Sequence, residues 1–462
     1  MVHHMIIGSG PAAMNAIETI REIDGGNSKI TLISDEPAYS RMVLPYYLAQ
    51  QIPEKQIYTA DDAYFDQLKV DRYIGQKVAK VDPTQKSVTL ADGQKLTFDN
   101  LLIATGASPA PLAIPGADLP GVFPLWTIAH TEAVLQATAG KSAPEVAFIG
   151  AGFIGFIVLN AMYKRGWKLH VVEIADHVLP RMLDKESASL VETWLKNKGV
   201  GLHLGTSVQS IADHHGRKRL QLANGQTVDA DVVIVATGIK PNTDLVQGSG
   251  IVVDQGIIVN DRMQTNVANV YAAGDVAQGP NLLGDRTEIH AIQPTAVDHG
   301  RIAGANMAGQ TVRYPGSLSM NILDVCGLQC ASFGRWNDPS AQAMTITNPD
   351  RPLYRKLLWT QDQITGAIFV GQSSDVGMLN DLGMVKGIIQ TKTSFGPWKE
   401  FVRDNPFDIR RPYIALQVAK KLVEATLLGR PAKPRQYRFQ NKQPGPQITQ
   451  PQAHQHFVTN KQ

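Results

Sequence analysis

Two stretches of the chain, far apart, repeat one order of apolar and small residues. The apolar run His4-Met5-Ile6-Ile7 stops at Gly8-Ser9-Gly10-Pro11-Ala12-Ala13 and gives way to a periodic run from Met14 to Ile23. Val146-Ala147-Phe148-Ile149 stops at Gly150-Ala151-Gly152-Phe153-Ile154-Gly155 and is followed by Phe156 to Arg165. Each stretch then returns to an apolar run, Lys29 to Ser34 and Lys168 to Glu173. A short continuous apolar run predicts a buried strand, and a period of 3.6 predicts a helix. Strand, helix and strand in that order predict a right-handed parallel unit, here present twice.

Alternation with a period of two marks what lies between. Gly75 to Thr105 reads as short strands around an Asp92-Gly93 turn, and Val208 to Thr237 repeats the theme around Asn224-Gly225. Each unit thus carries a β-meander insertion, as a duplication would leave. Pro109, Pro111, Pro115, Pro120 and Pro124 mark the crossover between them. Beyond Pro315, Met320–Phe333 and Tyr354–Val370 read as strands, and Met378–Thr391 and Pro412–Leu428 as helices. From Pro431 the chain is rich in Gln, Pro, Asn and Lys, a composition that predicts a disordered tail.

The expected architecture is α/β, with two Rossmann-like dinucleotide-binding domains and a C-terminal α/β interface domain. The expected boundaries are 1–117 with 245–315 for the first domain, 118–244 for the second, 316–430 for the third and 431–462 for the tail. A length of 462 residues accommodates such a division at roughly 100–200 residues per domain.

Composition excludes more than it suggests. The net charge of +3 comes with no basic run dense enough for nucleic acid, and no apolar stretch approaches a membrane span of about 18–20 residues. An apolar strand starting at Met5 leaves no room for a signal peptide, so a cytoplasmic location is expected. Two cysteines, Cys326 and Cys330, rule out a disulfide framework and an iron–sulfur cluster held by about four thiolates of this chain. On one extended strand they would lie about 13 Å apart, too far to bridge unless Gly327 breaks the strand. They are either plain buried thiols or a redox or partner-sensing pair. The histidines show no metal-ligand spacing, and no metal is expected.

Gly8-x-Gly10-x-x-Ala13 and Gly150-x-Gly152-x-x-Gly155 each follow a strand and open a helix. In that context glycines permit a tight turn and close backbone approach, so a pyrophosphate can face the helix N-terminus. Pro11, Ala12, Phe153 and Ile154 fall within these turns. An acidic side chain should then end the second strand and hold a ribose. Asp35, after Ser34, is the first candidate, and Glu173 the second. Ile174-Ala175-Asp176-His177 supplies no arginine for a 2′-phosphate, which favours NADH over NADPH.

The run Thr265 to Ala273, ending in Gly274-Asp275, resembles the second FAD fingerprint of the pyridine-nucleotide-dependent flavoprotein reductases. Ala104-Thr105-Gly106 and Ala236-Thr237-Gly238 resemble the paired connector turns of that superfamily. Over about residues 1–430 the chain is most similar to the branch with apoptosis-inducing factor, the rubredoxin and ferredoxin reductases, and the flavin portion of assimilatory nitrite reductase. The resemblance implies FAD and NADH as cofactors. It gives Asp35 to ribose, Arg41 to the FAD pyrophosphate, the Val78 backbone to adenine and Asp275 to the ribityl chain. It also implies that His290 to Ala296, including Gln293, start a helix facing the flavin ring.

Three departures stand out. Tyr39 to Tyr47 contains no cysteine, which argues against thiol–disulfide chemistry at the flavin. A Lys–Glu ion pair of many relatives is missing on both sides, at Tyr46 or its neighbours and at Ile157. Trp126 stands where relatives often carry arginine, either stacked on a nucleotide ring or packed as a core residue. The reading is an FAD-dependent NADH oxidoreductase with no acid–base residue of its own, nicotinamide C4 being set against flavin N5. It would pass electrons to a separate small iron–sulfur protein such as rubredoxin or ferredoxin, or to a quinone. A homodimer through the third domain is expected. The rivals are a flavin-dependent redox sensor and an electron-input subunit of a larger complex.

Overall fold

The computed structural model describes residues 1–426, so the tail expected from 431 lies outside the described residues. In the first unit β1 (His3–Ile7), β2 (Lys29–Ser34), β3 (Val70–Ile74) and β4 (Asn100–Ile103) form a parallel sheet in the order β4-β1-β2-β3. Met5, Ile6 and Leu32 are fully buried, as strands covered on both faces require. Between β1 and β2 runs α1 (Pro11–Asp24), started by a proline that needs no N–H partner and ended by Gly25 at φ 61°.

The second unit repeats the plan. Its strands β5 (Val122–Pro124), β6 (Glu145–Ile149), β7 (Lys168–Glu173), β8 (Gly201–Leu204) and β9 (Val232–Val235) lie parallel in the order β8-β7-β6-β9-β5. Helix α2 (Phe153–Lys164) joins β6 to β7. Both meanders are present, turning at Asp92-Gly93 and Asn224-Gly225. The chain then returns to the first sheet with β10 (Val270–Ala272), outside β4, and α3 (Gln293–Met307).

Helix α3 packs against α1 with almost no gap. A Cβ on Gly300 would overlap the Ala12 carbonyl, and one on Gly304 would lie 2.6 Å from the Ala16 oxygen. Helix propensity alone would make Gly300→Ala stabilising by about 1 kcal/mol. Overpacking costs about 1–3 kcal/mol, and the colliding atom is backbone that cannot turn aside. Gly300→Ala should therefore lower the midpoint of urea unfolding; an unchanged or higher midpoint would mean the two helices separate easily.

The third unit is an antiparallel sheet of β11 (Met320–Val325), β12 (Leu328–Gly334), β13 (Gln342–Asn348), β14 (Leu353–Thr360) and β15 (Gln363–Gln372), in the order β11-β12-β15-β14-β13. Its inner face is covered by α4 (Val376–Gln390). Three expectations need correction here. Met320–Phe333 is a hairpin, not one strand, because Cys326 (φ 53°) and Gly327 (φ 92°) turn the chain. Tyr354–Val370 is likewise a hairpin, turning at Gln361 (φ 57°). The helix expected over Pro412–Leu428 is two, Arg410–Ala415 and Val418–Thr426, broken where Gln417 adopts φ 52°. Among the described residues no helix is long and apolar enough to cross a membrane.

Candidate functional site

Six described helices have ten or more residues, and their N-termini fall into two groups. Ile128–Ala137, Lys185–Asn197 and α4 are capped by the side chains of Thr127, Asp184 and Asp375. Helices α1, α2 and α3 have no side-chain cap; Gly10, Gly152 and Ile292 precede them. Their first N–H groups are left for an outside acceptor. These three are the helices that the sequence motifs single out.

The two glycine turns have matching geometry. Gly8 sits at φ 100° and Gly150 at φ 105°, and their N–H groups donate to Ile33 and Val172 at 2.8 Å each. A Cβ on Gly150 would come within 2.6 Å of the Ala236 carbonyl oxygen, and one on Gly8 would strike that of Ala104. Only glycine fits either position. Over Gly10 and Gly152 a Cβ would meet nothing within 4 Å, so open space faces each helix start. A Cβ on Gly155 would lie 3.1 Å from the Gly150 oxygen, and its counterpart Ala13 is fully buried; both set helix against strand.

Around the first turn the chain assembles one cleft. Ser9 and Ser34 share a hydrogen bond of 2.9 Å, tying the turn to the end of β2. Asp35, next in sequence, is exposed. The Gln76 N–H donates to the Ser34 carbonyl at 3.1 Å, which brings the strand of Val78 beside that end. Gly274 (φ 77°) lies between the starts of α1 and α3, its missing Cβ 3.3 Å from that of Ala12 and 3.6 Å from that of Ala296. Gln293 accepts a 2.5 Å hydrogen bond from Ser40, so the turn carrying Arg41 is fixed to α3. Arg41 pairs with Glu36 at 2.9 Å and donates to the Tyr39 hydroxyl at 2.7 Å.

The electrostatics of this cleft suit a polyol and a phosphate. Asp275 has no hydrogen-bond partner among the described residues, and burial raises its pKa to about 6, with Arg41 opposing the rise. A desolvated carboxyl without a partner suits hydroxyl donors, and the uncapped α1 beside Arg41 suits an anion. These residues fit FAD.

The second cleft differs in its acid. Glu173 accepts from the Ala151 N–H at 2.6 Å and from the Ala175 N–H at 2.9 Å, which aims the carboxylate across the glycine turn. The nearby cation Lys185 is paired with Asp176 at 2.5 Å, and this pairing with that of His177 holds the Asp176 carboxyl down to about 2. The connectors cross between the clefts as the antiparallel pair Ala107–Pro109 and Ile239–Pro241. Thr105 donates to the Asn242 carbonyl at 2.9 Å, Asn242 returns a bond of 2.8 Å to the Thr105 carbonyl, and its N–H donates to Gly106 at 3.0 Å. Gly238, at φ 134°, turns the second connector.

Residues 2–300 match the pyridine nucleotide-disulphide oxidoreductase family, and residues 320–382 match the rubredoxin NAD+ reductase C-terminal domain. The chain belongs to the pyridine nucleotide-disulphide oxidoreductase family. It is an oxidoreductase of electron transfer whose cofactors are FAD and NADH. The reductase is 30% identical over 375 residues to nitrite reductase of Bacillus subtilis, covering 80% of its own length but 46% of that protein, so it spans about half of this relative. It is 30% identical over 414 residues to the epsilon subunit of NADH-dependent phenylglyoxylate dehydrogenase of Aromatoleum evansii, covering 88% of its own chain and 96% of that one. Among solved structures, the NAD-dependent persulfide reductase of A. fulgidus superposes with a TM-score of 0.78 at 28% identity, over 86% of the reductase and 78% of that chain.

The reductase keeps its two thiols far from the glycine turns in sequence and out of solvent. Cys326 and Cys330 are both buried, and burial pushes the Cys326 thiol up to about 12 and raises that of Cys330 further. Cys326 is a joint between units: its N–H donates to Asn160 on α2 at 3.2 Å, and its carbonyl accepts from the Trp194 indole at 3.1 Å. Ile157 packs on the same apolar cluster, which includes Leu48 and the face of β11 and β12 turned away from α4. The sequence reading missed Ser9 and Asn242. Small polar residues in loops carry no periodic signal that would have marked them.

Proposed function

We propose that the reductase takes hydride from NADH and passes electrons to a separate redox protein, without a redox-active cysteine. FAD supplies the chemistry: it accepts two electrons together and can release them one at a time. The protein's residues hold and orient. Gly8, Gly10, Pro11, Ala12 and Ala13 bring the uncapped start of α1 to the FAD pyrophosphate, with Arg41 as its counter-charge. Asp35 takes the adenosine ribose, Val78 borders the adenine, and Gly274-Asp275 with Gln293 hold the ribityl and flavin end. Gly150, Gly152, Phe153, Ile154, Gly155 and Glu173 form the NADH turn. Ala104, Thr105, Gly106 and Gly238 set the hinge between the two nucleotides. Catalysis then rests on positioning.

The observation that carries this reading is the pair of glycine turns at φ 100° and φ 105°, each under an uncapped helix. The acceptor is proposed to be a small iron–sulfur protein, in keeping with the match of residues 320–382. A second reading, an electron-input subunit, is favoured by the near full-length similarity to the epsilon subunit, 96% of which is covered. Thiolates are the reactive form of cysteine, and a thiol raised to about 12 is almost wholly protonated at neutral pH. Cys326→Ala with Cys330→Ala should leave the rate of flavin reduction by NADH, and turnover with an iron–sulfur acceptor, within about twofold. A loss of tenfold or more in a variant that still binds FAD would return a cysteine to the mechanism.

A further inference from the structure

Arg41 is held from the second unit as well as the first. Its guanidinium lies over the Trp126 ring, 5.2 Å from the centroid, and Nη1 donates to the Trp126 carbonyl at 3.3 Å. Trp126 follows β5, an edge strand of the second sheet, by two residues and stands directly before Thr127, the N-cap of Ile128–Ala137. The indole cannot drift: its N–H donates to the Ala107 carbonyl at 2.8 Å, on the connector strand between the two units. Tyr39, itself buried, adds a second restraint: its hydroxyl accepts from Nη1 and its ring lies 5.5 Å from the guanidinium carbon. Yet 34% of the Arg41 side chain stays exposed, so the cation is fixed and still reachable.

An aromatic face and a carboxylate restrain a guanidinium differently. A carboxylate takes up N–H donors, whereas a ring under the plane leaves the in-plane N–H groups free for an anion. Glu36 is therefore the contact a pyrophosphate would displace, and the Trp126 ring the one it would keep.

We propose that Trp126 is a positioning residue for FAD: by holding Arg41 across the first glycine turn, it ties flavin retention to the placement of the second unit. This rests on the reading of Arg41 as the pyrophosphate counter-charge. A long flexible cation left unrestrained must be ordered by the cofactor itself, which weakens binding.

The test is FAD affinity, measured by flavin fluorescence on the full chain after removal and return of the cofactor, for W126A, W126F, R41A and the double variant. Thermal unfolding of each apoprotein separates misfolding from weak binding. W126A should weaken FAD about 5- to 30-fold, matching a cation–π contact of 1–2 kcal/mol. W126F, which restores a ring face without the bond to Ala107, should recover most of that loss. In the R41A background, W126A should add less than about twofold. A normal affinity in R41A would overturn the reading of Arg41 itself. Weak binding in R41A with normal binding in W126A would leave that reading intact and overturn the role of Trp126. Equal losses from W126A with and without Arg41 would also overturn it, because Trp126 would then act on the fold and not through the cation.

Discussion

Asp275→Asn should make the apoprotein more stable and the flavoprotein poorer in flavin. An aspartate ordinarily titrates near 3.8, and burial raises Asp275 to about 6. The folded state thus binds protons more readily than the unfolded chain in that window. The stability this provides is complete below pH 3.8 and is lost as pH rises through about 6. At pH 7 the ionised carboxylate costs the empty protein about 1–3 kcal/mol, which an amide of the same shape avoids. The gain of Asp275→Asn in urea unfolding should be present at pH 7–8 and vanish near pH 4. FAD binding should move the other way, about 10- to 100-fold weaker, since a charged acceptor for hydroxyl donors is lost. Isothermal titration of apoprotein with FAD, beside unfolding at the two pH values, reads both effects. A variant that binds FAD normally would remove Asp275 from the cofactor site.

Glu173→Arg should lower kcat/KM for NADH by about 10- to 150-fold, the worth of hydrogen bonds from two ribose hydroxyls to a charged acceptor. The effect on NADPH should be far smaller or reversed, because a guanidinium in that place meets a 2′-phosphate with favourable charge. In the present chain Lys185 is instead paired with Asp176 at 2.5 Å. Steady-state rates with both nucleotides and a dye acceptor measure the ratio. If both fall equally, Glu173 supports the glycine turn through Ala151 and Ala175 without selecting the nucleotide.

Both clefts were legible in the sequence because their physics is local. A turn that needs positive φ demands glycine, a parallel strand buried on both faces demands a continuous apolar run, and the two occur together at fixed spacing. What joins the clefts was not legible. Trp126 meets Arg41 across 85 positions, and Asn242 meets Thr105 across 137, with no pattern along the chain to announce either contact. The third unit was misread where a turn puts a residue other than Asn or Gly in the left-handed region. Cys326 takes φ 53° beside Gly327, and Gln361 and Gln417 take φ 57° and 52°, positions where Asn or Gly would have signalled a break. Strand β13 was passed over because, as an edge strand, it is mostly exposed and polar.

Ile157, apolar and packed on the cluster that includes Leu48, brings no polar group to the start of α2, so in the proposed reaction speed rests on how closely the two sites hold their ligands. Anaerobic stopped-flow mixing of the FAD-loaded protein with NADH, and separately with NADPH, followed by flavin absorbance, tests the account most directly. It predicts bleaching within seconds by NADH, much slower bleaching by NADPH, and return of the oxidised spectrum when an iron–sulfur acceptor is added. A flavin that stays oxidised, or reduces only over minutes with NADH, would contradict it.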